Sequence, residues 1–273
     1  MTIVVGSTRA SELAASGDSN NPFALWNNRI DSITAPGGVS SGGAAINAIS
    51  GFTYDVAKPL ASGGGFVLEF TVTTSISAVG VAAHDIGTLG GSIRVQYSDD
   101  GGSSWSDSGA GIVNPSDNQA IVFRFDDQSH NDWRIFVGSG AGFPSIGVLM
   151  ASQELIFPQR IYQGYTPPVV PNRVRLQSNV TEGGQLAGAA FAAEGSDVTA
   201  SLEHIGPGFV RGSPFKGFMN HFNQGEGFFW GWRPTKYDDV HFAWRSGGTV
   251  QPTNSGPRDF MSFDLGMRLY DNP

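Results

Sequence analysis

Cysteine is missing from all 273 residues of the chain. Its absence excludes disulfide bonds, thiolate catalysis and cysteine-based zinc sites. The fold must therefore be held by packing or by assembly with other subunits. The chain also lacks an uninterrupted apolar run near the roughly 18 residues that a membrane-spanning helix needs, so we expect no membrane insertion.

Positive charge is scarce as well. The chain has 16 lysines and arginines against 24 acidic residues, for a net charge of −8. This balance does not provide the basic surface that binds the phosphates of a nucleic acid, so we expect no nucleic-acid partner. Residues 1–21 contain neither a basic leader nor a long apolar core, and we expect synthesis in the cytoplasm without a signal peptide.

The residues that are abundant point to short strands and tight turns. The chain contains 38 glycines and 15 prolines, and 40% of its residues are hydrophobic. β-Branched and aromatic residues between turn formers are typical of a mainly β protein. The length suffices for one large β domain or for two ordinary ones.

Residues 92–107 give the clearest local signal. Ile93, Val95 and Tyr97 alternate with polar residues, the period of two expected of a half-buried strand. Residues 99–102 then supply two aspartates and two glycines, which are turn formers. The stretch therefore predicts a β hairpin.

Residues 98–105 also fit the pattern Ser-x-Asp-x-Gly-x-x-Trp, with Ser98, Asp100, Gly101 or Gly102, and Trp105. This spacing resembles the Asp-box turn of sialidases and other secreted β proteins. In that motif the Ser and Asp bond the backbone of the hairpin and the Trp packs beneath it. The resemblance implies a structural turn, since the arginine cluster, the nucleophilic tyrosine and the paired glutamates of a sialidase do not accompany it.

Strand patterns recur along the first part of the chain and end at a proline-rich stretch, residues 157–171. The predicted strands outside the hairpin are residues 65–73, 79–83, 120–126, 132–138 and 146–151. Short strands with Gly, Asn and Asp turns predict an antiparallel sandwich or jelly roll. The proline-rich stretch has no regular period, so we place a domain boundary near residue 165.

The second part combines further strands with one helix. Its predicted strands are residues 173–176, 187–193, 198–202, 228–232, 240–244 and 260–269. Residues 213–222 begin with Ser-Pro and place Phe215, Phe218, Met219 and Phe222 at positions i, i+3, i+4 and i+7. This spacing predicts an amphipathic helix.

The order of these segments resembles minor tail or virion structural proteins of tailed bacteriophages. The segments that carry the resemblance are FTYDVAKP, VGVAAHDIG, VQYSDDGGSSW, FRFD, DWRI, SIGVLMA, TEGGQLAG, FFWGWRP and NSGPRDFMSFDLGMRLYD. Residues 1–165 are similar to discoidin-like, galactose-binding-type jelly rolls. Residues 166–273 are similar to tail-tube or distal-tail modules, which are β sandwiches with one helix that assemble into rings.

The resemblance implies a structural, non-enzymatic role in a virion, with other tail proteins and further copies of the chain as partners. We predict a homo-oligomeric ring, six-fold by resemblance. One sheet cannot bury several near-consecutive aromatic residues on one face, so a neighbouring copy is expected to cover some of them. The predicted interface residues are Phe215, Phe218, Phe222, Phe229, Trp230 and Trp232.

The alternative is a carbohydrate-binding adhesin whose loops hold a glycan of the host surface; a glycoside hydrolase is a more distant third. The six tryptophans can stack on sugar rings, although alternating strands favour core or interface positions for them. The discoidin-like family usually has Trp after Tyr-Asp, whereas Val56 and Ala57 follow Tyr54-Asp55 here. This departure argues against a sugar site at that loop.

No cofactor is predicted, and calcium is the alternative. Oxygen-rich loops can hold calcium or a glycan, and the candidates are Asp85, Asp126, Asp127 and Asp132, which also fit turn caps. The five histidines lack the spacing that fixes two ligands on one metal. His84 follows an apolar strand and fits a hydrogen-bonded loop histidine better than a catalytic base.

Overall fold

The computed structural model of the protein describes residues 2–61, 65–138, 140, 142–161, 164–255 and 258–271. The strands within these residues are β1 (Thr2–Val5), β2 (Phe23–Leu25), β3 (Ser32–Thr34), β4 (Phe66–Thr71), β5 (Ile76–His84), β6 (Ile93–Ser98), β7 (Ser106–Val113), β8 (Ile121–Gln128), β9 (Asp132–Val137), β10 (Ile146–Ser152), β11 (Glu154–Ile156), β12 (Arg173–Val180), β13 (Leu186–Ile205), β14 (Phe228–Gly231), β15 (Val240–Arg245), β16 (Thr253–Asn254) and β17 (Met261–Leu269). The helices are α1 (Ser7–Ser16), α2 (Pro207–Arg211), α3 (Ser213–Gln224) and a 3₁₀ helix (Ala45–Ile49).

These strands form three sheets. The front sheet has the order β3-β4-β9-β6-β7, and the middle sheet has the order β1-β8-β5-β10. The back sheet has the order β11-β2-β14-β15-β17-β13-β12, with β16 beside β17. Within the described residues, β1 and β8 are the one parallel pair. The mainly β class and the antiparallel sandwich predicted from the sequence are confirmed.

The first core lies between the front and middle sheets. Strand β4 buries alternate residues, as its sequence pattern predicts. The two sheets pack face to face through a set of buried side chains that includes Phe66, Leu68, Phe70, Val79, Val81, Phe123, Trp133, Ile135 and Leu149. This pair of sheets is the predicted N-terminal sandwich.

A second core lies on the other side of the middle sheet. Ala78, Ala82 and Met150 of the middle sheet contact a set of back-sheet residues that includes Phe229 and Phe242. A Cβ atom on Gly80 would lie 2.6 Å from the Phe229 ring, so the close approach of the two sheets requires glycine there. Because β5 is covered on both faces, all nine of its residues are buried.

A third core lies between the back sheet and α3. The helix buries Phe215, Phe218, Met219 and Phe222, the four residues predicted from their spacing. It begins after Gly212, without a side-chain cap, and has proline in its first turn. The predicted helix is confirmed. The second part of the chain thus forms a sandwich by packing its sheet against the middle sheet and its helix against the opposite face.

Short strands from the N-terminal part complete the back sheet. Strand β2 pairs with β14, and β11 pairs with β2. Both strands precede residue 165, where the sequence predicts a domain boundary. The boundary stays a prediction, but its two sides share one hydrogen-bonded sheet and the second core.

A long hairpin extends from the opposite edge of the back sheet. Two strands predicted at residues 187–193 and 198–202 form the single strand β13. Its second half pairs with β17, whereas its first half pairs with β12, whose described side chains are exposed. Val174 and Val180 are 48% and 66% exposed on this hairpin.

A buried ion cluster joins α1 to the middle and back sheets. Arg124 of β8 is fully buried, and its Nε donates a hydrogen bond of 2.6 Å to Glu154 of β11. Arg9 of α1 donates to the other oxygen of the same carboxylate at 2.9 Å. The Arg124 guanidinium also lies 4.3 Å from the centroid of the Phe23 ring. Three layers of the fold therefore meet at this carboxylate.

The sequence patterns predict no element over residues 7–16, where the structure has helix α1. Only Leu13 of this helix is buried, so its apolar periodicity is weak. Gly17 ends the helix in the left-handed conformation. Of the helices in the described part of the chain, none has the length and apolar character to cross a membrane.

Candidate functional site

A cleft of about 810 Å³ opens beside β10, the edge strand of the middle sheet. Its walls come from residues 27–28 and 49–54, from β10, and from the end of α3 with β15. These segments lie on both sides of residue 165. The cleft therefore exists only where the N-terminal sandwich and the back sheet pack together.

One wall carries two exposed aromatic rings. Phe52 is 55% exposed and Tyr54 is 76% exposed, and their ring centroids lie 5.5 Å apart with the planes tilted by 31°. Large aromatic side chains are usually buried, so two exposed rings beside a concave surface mark a candidate binding site. Together the rings give the cleft an apolar wall.

The opposite wall is polar and is formed where α3 ends. Gly225 ends the helix at a φ of 82°, a left-handed conformation that favours glycine. The chain then returns, and Oε2 of Glu226 lies 2.8 Å from Nδ1 of His221. The other ring nitrogen, Nε2, donates to the Gly227 carbonyl oxygen at 2.8 Å. The turn thereby presents a carboxylate to the cleft and holds it against an imidazole.

Two asparagines that follow β2 line the cleft as well. Asn28 donates to the Leu149 carbonyl at 3.1 Å and accepts from the Ala151 N–H at 3.0 Å, so it fixes this segment to β10. Asn27 is exposed and has a φ of 35°, a conformation that is uncommon outside glycine. Its amide is thus free to offer a donor and an acceptor to a ligand. Trp244 of β15 contributes a further, half-buried ring.

Side-chain hydrogen bonds within residues 98–104 close the Asp-box turn. Ser98 Oγ donates to Asp100 Oδ1 at 2.7 Å and accepts from the Gly102 N–H at 2.8 Å. The Asp100 carboxylate in turn accepts from the Ser104 N–H at 2.8 Å and from the Ser104 hydroxyl at 2.6 Å. Gly101 has a φ of 70°. These bonds close the hairpin on itself, as a structural turn requires.

Trp105 follows the turn and is partly buried. The guanidinium of Arg134, on β9, lies 4.4 Å from the centroid of its ring. The ring also lies 3.4 Å from where a Cβ of Gly102 would be. Trp105 therefore supports the turn from the outer face of the front sheet.

Replacing Asp100 with alanine is expected to lower the melting temperature. Hydrogen bonds from the Ser104 hydroxyl, the Ser104 N–H and Ser98 lower the pKa of Asp100 to about 2, below its ordinary value of 3.8. The stabilisation by the charged form is therefore complete above pH 3.8 and is lost as the pH falls towards 2. Thermal melts of the wild-type protein and of Asp100→Ala at pH 7 and pH 2.5 measure this stabilisation.

Asp264→Ala, which removes an exposed carboxylate from β17, is the control for this turn. The structural role of the turn is wrong if Asp100→Ala melts at the wild-type temperature at pH 7. It is also wrong if Asp100→Ala and Asp264→Ala lower the melting temperature by the same amount at both pH values.

The structure changes the interpretation of the predicted interface residues. Five of the six are at most 2% exposed within a single chain, namely Phe215, Phe218, Phe222, Phe229 and Trp230. Phe229 packs against the middle sheet, and the other four lie in the core beneath α3. Side chains enclosed by their own chain offer no surface to another copy, so their assignment to an interface is corrected. Trp232 is partly buried and stacks on Tyr237.

The four aspartates predicted for a glycan or calcium loop do not gather at one place. Asp85 follows the end of β5 and accepts a bond from the Ser145 N–H at 2.7 Å. The start of β5 pairs with the end of β8, which places Asp126 and Asp127 at the opposite end of the sandwich. Asp132 begins β9, four residues after the end of β8, and so lies at the same end as Asp126 and Asp127. A single loop that includes Asp85 is therefore wrong, and a loop site at the other three aspartates stays a prediction.

The histidines and carboxylates are the side chains that could ligate a metal. Among the described residues, no three or more of these side chains are arranged to hold a metal ion. Calcium binding stays a prediction. His84 donates from Nε2 to the Gln119 carbonyl at 2.8 Å and accepts the Ile86 N–H at Nδ1, so it is a hydrogen-bonded structural histidine.

Sequence reasoning missed the cleft itself. Phe52 is far in the chain from His221 and Glu226, and the three residues belong to no motif. Two signals were present: an aromatic pair in a segment without strand periodicity, and a Gly-Glu-Gly turn directly after the predicted helix. Neither signal says that the two segments meet.

Comparison with known proteins gave matches among solved structures alone. No protein-family model matches the chain, and no curated protein matches it. A pectin-binding carbohydrate-binding module covers 46% of this chain and 91% of its own length, at 16% identity and a TM-score of 0.39. A carbohydrate-binding module of Clostridium perfringens in complex with GalNAc-β-1,3-galactose covers 47% and 99%, at 15% identity and a TM-score of 0.39.

A third similar structure is a Ruminococcus gnavus GH29 fucosidase in complex with fucose, matched over 45% of this chain at 11% identity and a TM-score of 0.38. This chain spans a quarter of that enzyme, 25% of its length. At these identities and TM-scores, the ligands and activities of the matched proteins are not transferred to this chain.

Proposed function

We propose that the protein is a non-catalytic carbohydrate-binding protein that holds a glycan in the cleft beside β10. The observation that carries the proposal is the pairing of the exposed rings of Phe52 and Tyr54 with a polar wall around Glu226. A pyranose ring has an apolar C–H face and a rim of hydroxyl groups. It can pack its face on the aromatic rings while its hydroxyls bond to carboxylate and amide groups.

The dimensions of the cleft support this proposal. Its volume of about 810 Å³ lies within the range of roughly 300–1,000 Å³ that is usual for small-molecule sites. In the sequence analysis, the absence of Trp after Tyr54-Asp55 counted against a sugar site at this loop. In the proposed site Phe52 and Tyr54 themselves supply the aromatic surface, so a third ring at position 56 is not needed.

The carboxylates at the cleft support binding without hydrolysis. Glycoside hydrolysis generally uses two carboxyl groups, which flank the scissile bond at a separation of roughly 5–10 Å. Among the described residues that line the cleft, Glu226 is the one carboxylate. A single carboxylate can accept hydroxyl hydrogen bonds from a sugar but cannot provide the acid and base pair.

Replacing Phe52 or Tyr54 with alanine is expected to weaken glycan binding tenfold or more, about 1.4 kcal/mol or greater. Each substitution removes an exposed ring that would otherwise stack on the sugar. A screen of immobilised glycans with the wild-type protein identifies a ligand, and isothermal titration calorimetry then compares the variants. Both side chains are exposed, so the melting temperature should hardly change.

Phe143→Ala is the matched control for these variants. Phe143 is 49% exposed, comparable to Phe52, and does not line the cleft. The proposal fails if no glycan binds to the wild-type protein. It also fails if Phe143→Ala weakens binding as much as the cleft variants do.

The role in a bacteriophage tail stays a prediction of the sequence resemblance, as do the ring, its six-fold order, the tail partners and the virion location. Glycan binding at a host surface is compatible with such a location. Should copies of the chain assemble, the exposed valines of the β12–β13 hairpin offer a contact surface that the aromatic residues of β14 do not.

A further inference from the structure

The ionisable groups among the described residues of the cleft are few, and none of them is a lysine or an arginine. They are His221, Glu226 and the phenol of Tyr54. A site for an anionic sugar normally offers a cation to the ligand carboxylate or sulfate, most often arginine. This cleft offers a carboxylate instead.

The imidazole of His221 is already engaged. It is 12% exposed at the side chain and packs edge-on against Trp26, with ring centroids 5.6 Å apart. Each ring nitrogen faces an acceptor, the Gly227 carbonyl for Nε2 and the Glu226 carboxylate for Nδ1. A neutral imidazole carries one N–H and satisfies one of these acceptors, whereas an imidazolium satisfies both. Either way, no N–H of His221 remains for a ligand.

Glu226 keeps binding capacity towards the cleft. Its Oε2 lies 2.8 Å from Nδ1 of His221, and its side chain is 56% exposed. A carboxylate has lone pairs on both oxygens, so Oε1 can accept hydrogen bonds from sugar hydroxyls. A carboxylate on the ligand has no proton to donate at neutral pH, and its charge would be repelled by Glu226.

We propose that the cleft selects uncharged sugars and rejects uronic acids, with Glu226 as the residue that determines this choice. The inference rests on the proposed function and names its ligand class. His221 acts as a positioning residue, because its Nδ1 faces Oε2 of the carboxylate and leaves Oε1 to the ligand.

The test compares ligands that differ in one group. Tetrasaccharides of glucose and of galactose are titrated beside the corresponding uronates, which carry a carboxylate at C6. The proteins are wild type, Glu226→Gln and Glu203→Gln, the last of which replaces an exposed glutamate on β13 away from the cleft. Melting temperatures are recorded for all three proteins to show that each is folded.

We expect the wild-type protein to bind a neutral tetrasaccharide at least tenfold more tightly than its uronate. In Glu226→Gln this ratio should fall at least fivefold, because the amide removes the charge but keeps one acceptor and the shape. Glu203→Gln should keep the wild-type ratio. If the substitution altered the fold, the affinities for both ligands would fall equally and their ratio would stay unchanged.

Two results overturn the inference while the proposed function stands. One is a wild-type protein that binds uronates as tightly as neutral sugars, or more tightly. The other is a Glu226→Gln variant with the wild-type ratio. A wild-type protein that binds no glycan of either class refutes the proposed function itself.

Discussion

Replacing Glu154 with glutamine is expected to lower the free energy of unfolding by about 3–5 kcal/mol. The Glu154 side chain is 1% exposed and accepts from the fully buried Arg124. The terminal nitrogens of Arg124, Nη1 and Nη2, are buried without a hydrogen-bond partner. Its charge therefore depends on Glu154 and on the Phe23 ring, and a neutral amide at position 154 leaves a buried cation uncompensated.

Denaturation by urea, monitored by tryptophan fluorescence, measures this change. Glu12→Gln is the matched control, since Glu12 bonds the same Arg9 from the exposed side, with its own side chain 48% exposed. We expect it to cost about 0.5 kcal/mol or less. Equal losses for the two variants would show that burial of the ion cluster adds nothing to stability.

Acidification from pH 7 to pH 4.5 is expected to destabilise the protein through two buried histidines. Burial lowers the pKa of both His84 and His241 to about 4, from an ordinary value of 6.5. Between these values the unfolded chain binds protons that the folded chain does not, so stability falls as the pH drops from about 6.5 towards 4. Each group contributes a loss of about 3 kcal/mol over that window.

His241 permits a clean test. Its ring is 2% exposed, lies opposite Trp230 on the neighbouring strand, and has no hydrogen-bond partner at either nitrogen. His241→Leu removes the titrating group and fills the space with an apolar side chain. Urea denaturation at pH 7.5 and pH 5 should show a smaller loss for this variant than for wild type. An identical loss would mean that His241 does not resist protonation.

Elements with a regular period were predictable from the sequence. The strand β4 and the helix α3 bury the residues that their alternation or helical spacing selects. The strand β6 buries Ile93 and Val95 as predicted, whereas Tyr97 is only partly buried and the polar residues Gln96 and Ser98 are buried. For β4 and α3 the apolar pattern is local and long enough to fix both the element and its buried face.

The layering of the sheets was not predictable in the same way. Strands β2 and β11 have three residues each, too few for a period, and their partners are set by tertiary contacts. The side chains of Phe229 and Trp230 lie on opposite faces of the back sheet, as the alternation along a strand predicts. The sequence pattern does not show that the middle sheet and α3 cover these faces within the same chain, which accounts for the incorrect interface assignment.

The site depends on the same tertiary contacts. Its aromatic wall comes from residues 49–54 and its polar wall from the end of α3, and these segments meet only because the back sheet packs on the middle sheet. An exposed aromatic residue in an irregular segment has no sequence signature that separates it from a core residue. The turn at Asp100 was predictable because its partners lie within four residues.

The pairing of β2 with β14 also sets the order in which the chain can fold during synthesis. Ala24 pairs with Trp230 and Leu25 with Phe229, so β2 leaves the ribosome about 200 residues before its neighbour. Contacts of such high sequence separation form slowly. In that interval Phe23 and Leu25 cannot yet pack against the later strands of the back sheet. Val148 and Met150 of the middle sheet lack the same contacts. The nascent chain is therefore more prone to aggregation than the finished protein, in which these side chains are enclosed.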